Sequence, residues 1–210
     1  MDSEGGFITF LSKTGETLIL GVLWIVTSLG IITIGSSWAS MYYAIVKSVR
    51  KGRGYPVKEF FSSFKRTFGK GATMSIVLAM IVFAIVMLCR AAVSMQSTQG
   101  NFLLRTYFAL GAAVAAIVIY LFPVLSRFTM SIGEMVRLAF IMCFRYIYFT
   151  VIILGGTAGI IYMYLTFLPL ITLLVIPAAW FFVCTLMIEK VLRHYMPKPD
   201  ETNKDEWYYK

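Results

Sequence analysis

The sequence predicts an all-α fold: a polytopic transmembrane helix bundle of five crossings, or six, with amphipathic helices on its cytoplasmic side. Three observations predict it. Of 210 residues, 59% are hydrophobic and 14% charged, with a mean hydropathy of +0.80; a soluble domain of this size needs more polar surface than that. Four stretches, residues 17–46, 71–89, 106–126 and 146–188, carry no charge at all. Three basic regions, residues 47–70, 127–145 and 190–198, fall in connections on one side of those stretches.

A membrane helix needs about 20 mostly apolar residues, because each rises about 1.5 Å through a hydrocarbon core about 30 Å thick. Residues 71–89 and 106–126 each fit one crossing. Residues 146–188 fit two, with a turn around Phe167 to Pro169. Residues 17–46 are too long for one upright helix and short for a hairpin of two. One crossing there makes five and puts the N-terminus outside; a hairpin makes six and puts it inside. A β-barrel is excluded, since runs such as residues 80–88 are apolar on every face and lack period-two alternation.

Taken in order, residues 1–16 are a mildly polar lead in which Phe7, Phe10 and Leu11 form an apolar stripe suited to an interfacial helix. No basic leader or small-residue cleavage site precedes the first apolar segment, which is therefore expected to stay in the mature chain. Residues 18–30 read as a first helix. Ile31, Ile32, Thr33 and Ile34, then Gly35, Ser36 and Ser37, weaken it, and Ser36 or Ser37 suits the cap of a new helix. The plain reading is a kink or an interfacial loop. The functional reading is a discontinuous helix lining a site, with Thr33, Gly35, Ser36, Ser37 and Tyr42 as ligand-lining candidates.

The next connection carries most of the net charge of +9: Lys47, Arg50, Lys51, Arg53, Lys58, Lys65, Arg66 and Lys70 against Glu59. That excess marks it as cytoplasmic. It suits anionic lipid of the inner leaflet better than nucleic acid. Within it, residues 56–70 have helical period. Phe60, Phe61, Phe64 and Phe68 share one face, and Lys58, Lys65 and Arg66 lie on the opposite one. A cytoplasmic interfacial helix is expected, phenylalanines in lipid and cations toward phosphates. Two crossings later, residues 127–145 are basic again and read as a second interfacial helix, or as an extension of the helix before it. Phe128, Ile132, Met135 and Ala139 share a face there, and Glu134 stands three residues from Arg137, close enough to pair. After the last crossing come Lys190, Arg193 and Lys198. Residues 1–196 thus read as one membrane-embedded domain and 197–210 as a polar cytoplasmic tail.

Gly111 with Ala115, and Gly155 with Gly159, have the spacing that lets helices approach closely, within the chain or in a homodimer. No catalytic grouping is visible. His194 stands alone among basic residues, and Glu134 and Glu189 flank apolar spans rather than enter them. Cys89, Cys143 and Cys184 lack metal-ligand spacing and read as buried thiols. No phosphate-binding Gly-rich loop and no nucleophile elbow appears. No cofactor is expected, and the chain is not read as an enzyme.

Particular strings resemble a known family. Residues 23–35, a Leu-Trp helix built on Trp24 that ends in Thr-Ile-Gly, are followed by Tyr42 and Tyr43. Tyr55 and the Phe64-Lys65 string come next, then Phe122, Pro123, Arg127 and Phe128 in a Phe-Pro…Arg-Phe element. Together, over residues 18–196, they are similar to the YesL-like family of bacterial integral membrane proteins, a domain of unknown function. Gly30 stands where that family often has proline. The resemblance implies a bacterial plasma membrane and an association with carbohydrate uptake, with sugar ABC transporter membrane subunits as partners. The corresponding expectation is a non-enzymatic accessory protein. The alternative is a small permease or channel for a neutral solute.

Overall fold

A computed structural model describes residues 2–95, 97–167 and 172–195. The described residues form seven α-helices and two short helical segments, with no strand among them. The side chains of Phe7, Phe10 and Leu11, the turn at Phe167 to Pro169 and the tail 197–210 lie outside the described parts.

Helix α1 (Asp2–Thr27) ends three residues earlier than its sequence suggests. Leu29 and Gly30 leave the helix, a single 3-10 turn (Ile31–Thr33) follows, and α2 (Ile34–Ala44) sets off in the opposite direction. The pairing of residues shows the reversal. Trp24 meets Trp38 edge to face at 6.4 Å, while Leu20 packs with Met41, Ala44, Ile45 and Val49. Residues 17–46 therefore form a hairpin rather than one long helix.

Breaking a helix in an apolar setting frees backbone groups that must find partners. Neither Ser36 nor Ser37 caps α2, and its N-cap residue, Thr33, makes no side-chain capping bond to it. The cap comes from another helix: Gly35 N–H donates to Ser75 Oγ at 2.8 Å, and that hydroxyl donates to Gly71 O at 2.8 Å. Contact this close needs glycine on both sides. A Cβ on Gly35 would stand 2.5 Å from Phe122 and 2.9 Å from Gly71 O, and one on Gly71 would strike Ser36 Oγ.

A π-helical turn (Ile45–Arg50) extends α2, and Gly52 and Gly54 turn the chain with positive φ. Helix α3 (Pro56–Ser94) then runs unbroken for 39 residues, about 58 Å at 1.5 Å per residue. This corrects the separate interfacial helix expected over residues 56–70, which is the first part of α3. No proline or unsatisfied backbone interrupts it, and its phenylalanine face has a protein partner. Phe60 is fully buried against Leu20, Ala44 and Val49, with Phe64 beside it, while Phe61 and Phe68 stay exposed.

Helix α4 (Thr98–Arg127) starts at the Ser97 cap and carries Pro123 buried near its end. Helix α5 (Ile132–Arg145) is separate from it and opens on a capping box. Glu134 spends its carboxylate on the Ser131 N–H at 2.9 Å rather than on Arg137. Met135 and Ala139 are fully buried, and Phe128 and Ile132 pack on the same core. Helices α6 (Ile147–Phe167) and α7 (Thr172–Arg193) complete the bundle, with a 92° bend between α5 and α6.

The hairpin is the centre: α2 packs against α3 and α4, and α1 against α7. Small residues act differently from the sequence pattern. Gly155 and Gly159 face open space, and it is Gly156 that accepts the Trp180 ring. By length and composition, α3 and α4 can each cross a bilayer, and a third span follows if α5 and α6 count as one bent element. The described residues thus hold two or three candidate spans of the five crossings expected from charge-free stretches. Arg90 and Arg105 stand exposed near the ends of α3 and α4 farthest from the other cations.

Gly35→Ala should lower the thermal unfolding temperature of the detergent-solubilised protein, at a cost of about 1–3 kcal/mol from overpacking. Gly69→Ala, whose Cβ meets nothing within 4 Å, should leave it unchanged or slightly raised.

Candidate functional site

Two features meet where α2, α4 and α7 converge. The first is a buried charge cluster. Arg127 Nη2 donates to Glu189 Oε2 at 2.5 Å, and both side chains are 2% exposed. Tyr42 Oη donates to the same oxygen at 2.7 Å, and the Arg127 guanidinium lies 5.8 Å from the Tyr42 ring centre. The other carboxylate oxygen faces Arg193 Nε at 3.5 Å, an ion pair. Arg50 approaches from the π-turn and donates to Thr185 O at 3.3 Å. One carboxylate thus stands among Arg50, Arg127 and Arg193. In the loop beyond, Lys51 is held below the ordinary lysine range, chiefly by partial burial and next by Arg193.

Sequence reasoning placed Glu189 at the flank of a span. It is buried inside α7, and its partners lie 62 and 147 residues away. The available signal was its position as the lone acid of α7, four residues before Arg193. A buried ion pair contributes little net stability, but removing one partner is costly because the other charge is left unpaired.

The second feature is a cavity of about 1090 Å³ between α3–α4 and α6–α7, running beside the hairpin from Gly21 and Tyr42 and on past its end. Trp38, Tyr42 and Phe122 line it on the hairpin side, and Val86, Ala115 and Ile161 farther out. Its few hydroxyls are occupied elsewhere. Ser75 is taken by Gly35 and Gly71. Thr157 receives Trp180 Nε1 at 3.1 Å and donates to Ile153 O. Thr185 donates to Phe182 O, and Tyr42 to Glu189. Trp24 Nε1, also on the wall, is buried without a partner; with its hydroxyls committed and the rest of its lining apolar, the chamber is suited to hydrocarbon and poorly suited to a polar solute.

The candidates from sequence divide between these features. Trp24, Phe122 and Tyr42 reach the cavity, and Tyr42 and Arg127 the charge cluster. Pro123 and Phe128 belong to the packed end of α4. Gly35, Ser36 and Ser37 are buried between α2 and α3. Ser36 Oγ approaches Phe68 O at 3.4 Å, and Thr33 Oγ1 donates back to Gly30 O. Lys58, Lys65 and Arg66 are exposed along α3. Arg66 donates to Ser126 O and stacks 4.8 Å from the Tyr43 ring centre, while Lys47 pairs with Glu59 at 2.7 Å. Among the described residues, no three His, Cys, Asp or Glu come together as metal ligands.

Residues 17–88 match the family described as "Protein of unknown function, DUF624". The chain is 30% identical over 147 residues to "Uncharacterized protein YesL" of Bacillus subtilis (strain 168), covering 68% of each chain. No solved structure matches.

Arg127→Met should cost about 3–5 kcal/mol by stranding the Glu189 carboxylate, read as a fall in melting temperature in detergent. Arg127→Met combined with Glu189→Met should recover much of that loss. Tyr42→Phe, which removes one bond to a charged group, should cost about 1.5–3 kcal/mol.

Proposed function

The chain belongs to the YesL-like DUF624 family, and on that premise we propose that it is a multi-pass plasma-membrane protein serving carbohydrate uptake as a non-enzymatic accessory component. Its partners in this reading are the membrane subunits of a sugar ABC transporter, with anionic lipid at its basic end and no nucleic acid. The observation that carries the reading is the outward apolar surface of the bundle. Val93 on α3, Phe108 on α4 and Leu165 on α6 are 60%, 67% and 80% exposed, a surface fit for lipid or another membrane helix and unfit for water. The carbohydrate link rests on the family resemblance.

For topology, four full crossings by α3, α4, α6 and α7 fit best, with the α1–α2 hairpin in place of the fifth. A leg of about ten residues climbs about 15 Å, half the hydrocarbon core, and then returns. Lys47, Lys51, Arg66, Arg127 and Arg193 all lie toward the end of the bundle opposite Arg90 and Arg105, which supports a cytoplasmic assignment for that end. The hairpin also brings the N-terminus to that side. The apolar cavity and the occupied hydroxyls weigh against a permease for a neutral polar solute.

Purification in mild detergent from sugar-grown cells should recover transporter membrane subunits with the tagged protein, and their absence would count strongly against the accessory role. Single cysteines at Ser12, Lys51 and Arg137 should react with an impermeant thiol reagent only from the cytoplasmic side. Labelling of Ser12→Cys from outside would restore the fifth crossing.

A further inference from the structure

The cavity follows from the hairpin. Two helical legs occupy the centre of the bundle only as far as Thr27 and Ile34. Beyond them, α3, α4, α6 and α7 continue without a central partner. From Ser75 to Val86, both on the cavity wall, α3 rises about 16 Å, roughly half the thickness of a bilayer core. The hollow has the height of one leaflet and a volume of about 1090 Å³, just above the range of small-ligand sites of about 300–1,000 Å³.

Its walls select the occupant. Every lining hydroxyl is committed to the protein, and Trp24 Nε1 is a single buried donor without a partner, so a sugar, with several hydroxyls to satisfy, would bury most of its own groups unpaired. An empty chamber of this size would forfeit the contacts that dense packing supplies. Lipid chains are as apolar as the leucines around them, so filling the space, rather than escape from water, holds the occupant. We propose that the hollow above the α1–α2 hairpin is a lipid site, occupied by the acyl chains of a membrane phospholipid lying against Trp38. Trp38 sits where the chain ends would rest, 5.7 Å from Phe122 and 5.8 Å from Phe181 between ring centres. The site does not depend on any transporter contact.

Bromine on an acyl chain quenches tryptophan that it touches. A variant retaining Trp38 alone (Trp24→Phe, Trp180→Phe, Trp207→Phe) is reconstituted in vesicles of phosphatidylglycerol brominated near the chain ends. Trp38 emission should fall at least twofold relative to unbrominated vesicles, and Ala115→Phe, which pushes a ring into the cavity where the chains would lie, should reduce that fall. Quenching that is absent, or that Ala115→Phe leaves unchanged, overturns the proposal. Should the triple variant not fold, native mass spectrometry of the wild-type protein decides. A bound phospholipid retained by the wild type and reduced in Ala115→Phe supports the site; no adduct, or an isoprenoid adduct, overturns it.

Discussion

The structure depends on one hydrogen bond and the glycines that permit it. Gly35 N–H reaches Ser75 Oγ because neither Gly35 nor Gly71 carries a side chain where α2 meets α3. In an apolar environment a helix cannot simply start; its first N–H groups need acceptors that water would otherwise supply. Ser75 supplies one from a neighbouring helix and uses its own proton on Gly71 O. The reversal at Ser28–Thr33 is thereby tied to the middle of α3. The hairpin, the short central filling of the bundle and the hollow beyond it all follow from that attachment.

At the other end the constraint is electrostatic. Glu189 enters a buried position with Arg127, Tyr42 and Arg193 around it, and these groups come from three helices. Such a cluster specifies more than it stabilises, because each partner is tolerable only with the others present. It fixes how α4 and α7 stand relative to α2. Tyr42 belongs to both regions: its ring forms part of the cavity wall and its hydroxyl joins the charge cluster. The hollow and the basic end of the bundle therefore share a residue.

Much of this was legible in the sequence. Charge-free stretches mark the helices, the lysines and arginines mark one end, and the weak point at residues 31–37 is visible as β-branched residues followed by Gly35 and serines. Met135 and Ala139 were identifiable as sharing one face by their period alone. Phe60 and Phe64 were equally clear as an apolar face, but their periodicity cannot distinguish lipid from a protein partner. Gly155 and Gly159 show the same gap, since they have the spacing for close packing while the approaching ring chose Gly156.

The sequence by itself determined the class of the molecule, because hydropathy and charge placement follow from composition along the chain and need no knowledge of neighbours. Only the tertiary structure decided that the first apolar segment doubles back, that Ser75 caps it, that Glu189 is interior, and that a hollow remains above the hairpin. The doubling back rests on pairs such as Trp24 and Trp38, and the cap and the buried carboxylate on groups 40 and 147 residues apart. Contacts at that range arise when helices pack, and no local pattern encodes which side chain will stand opposite which.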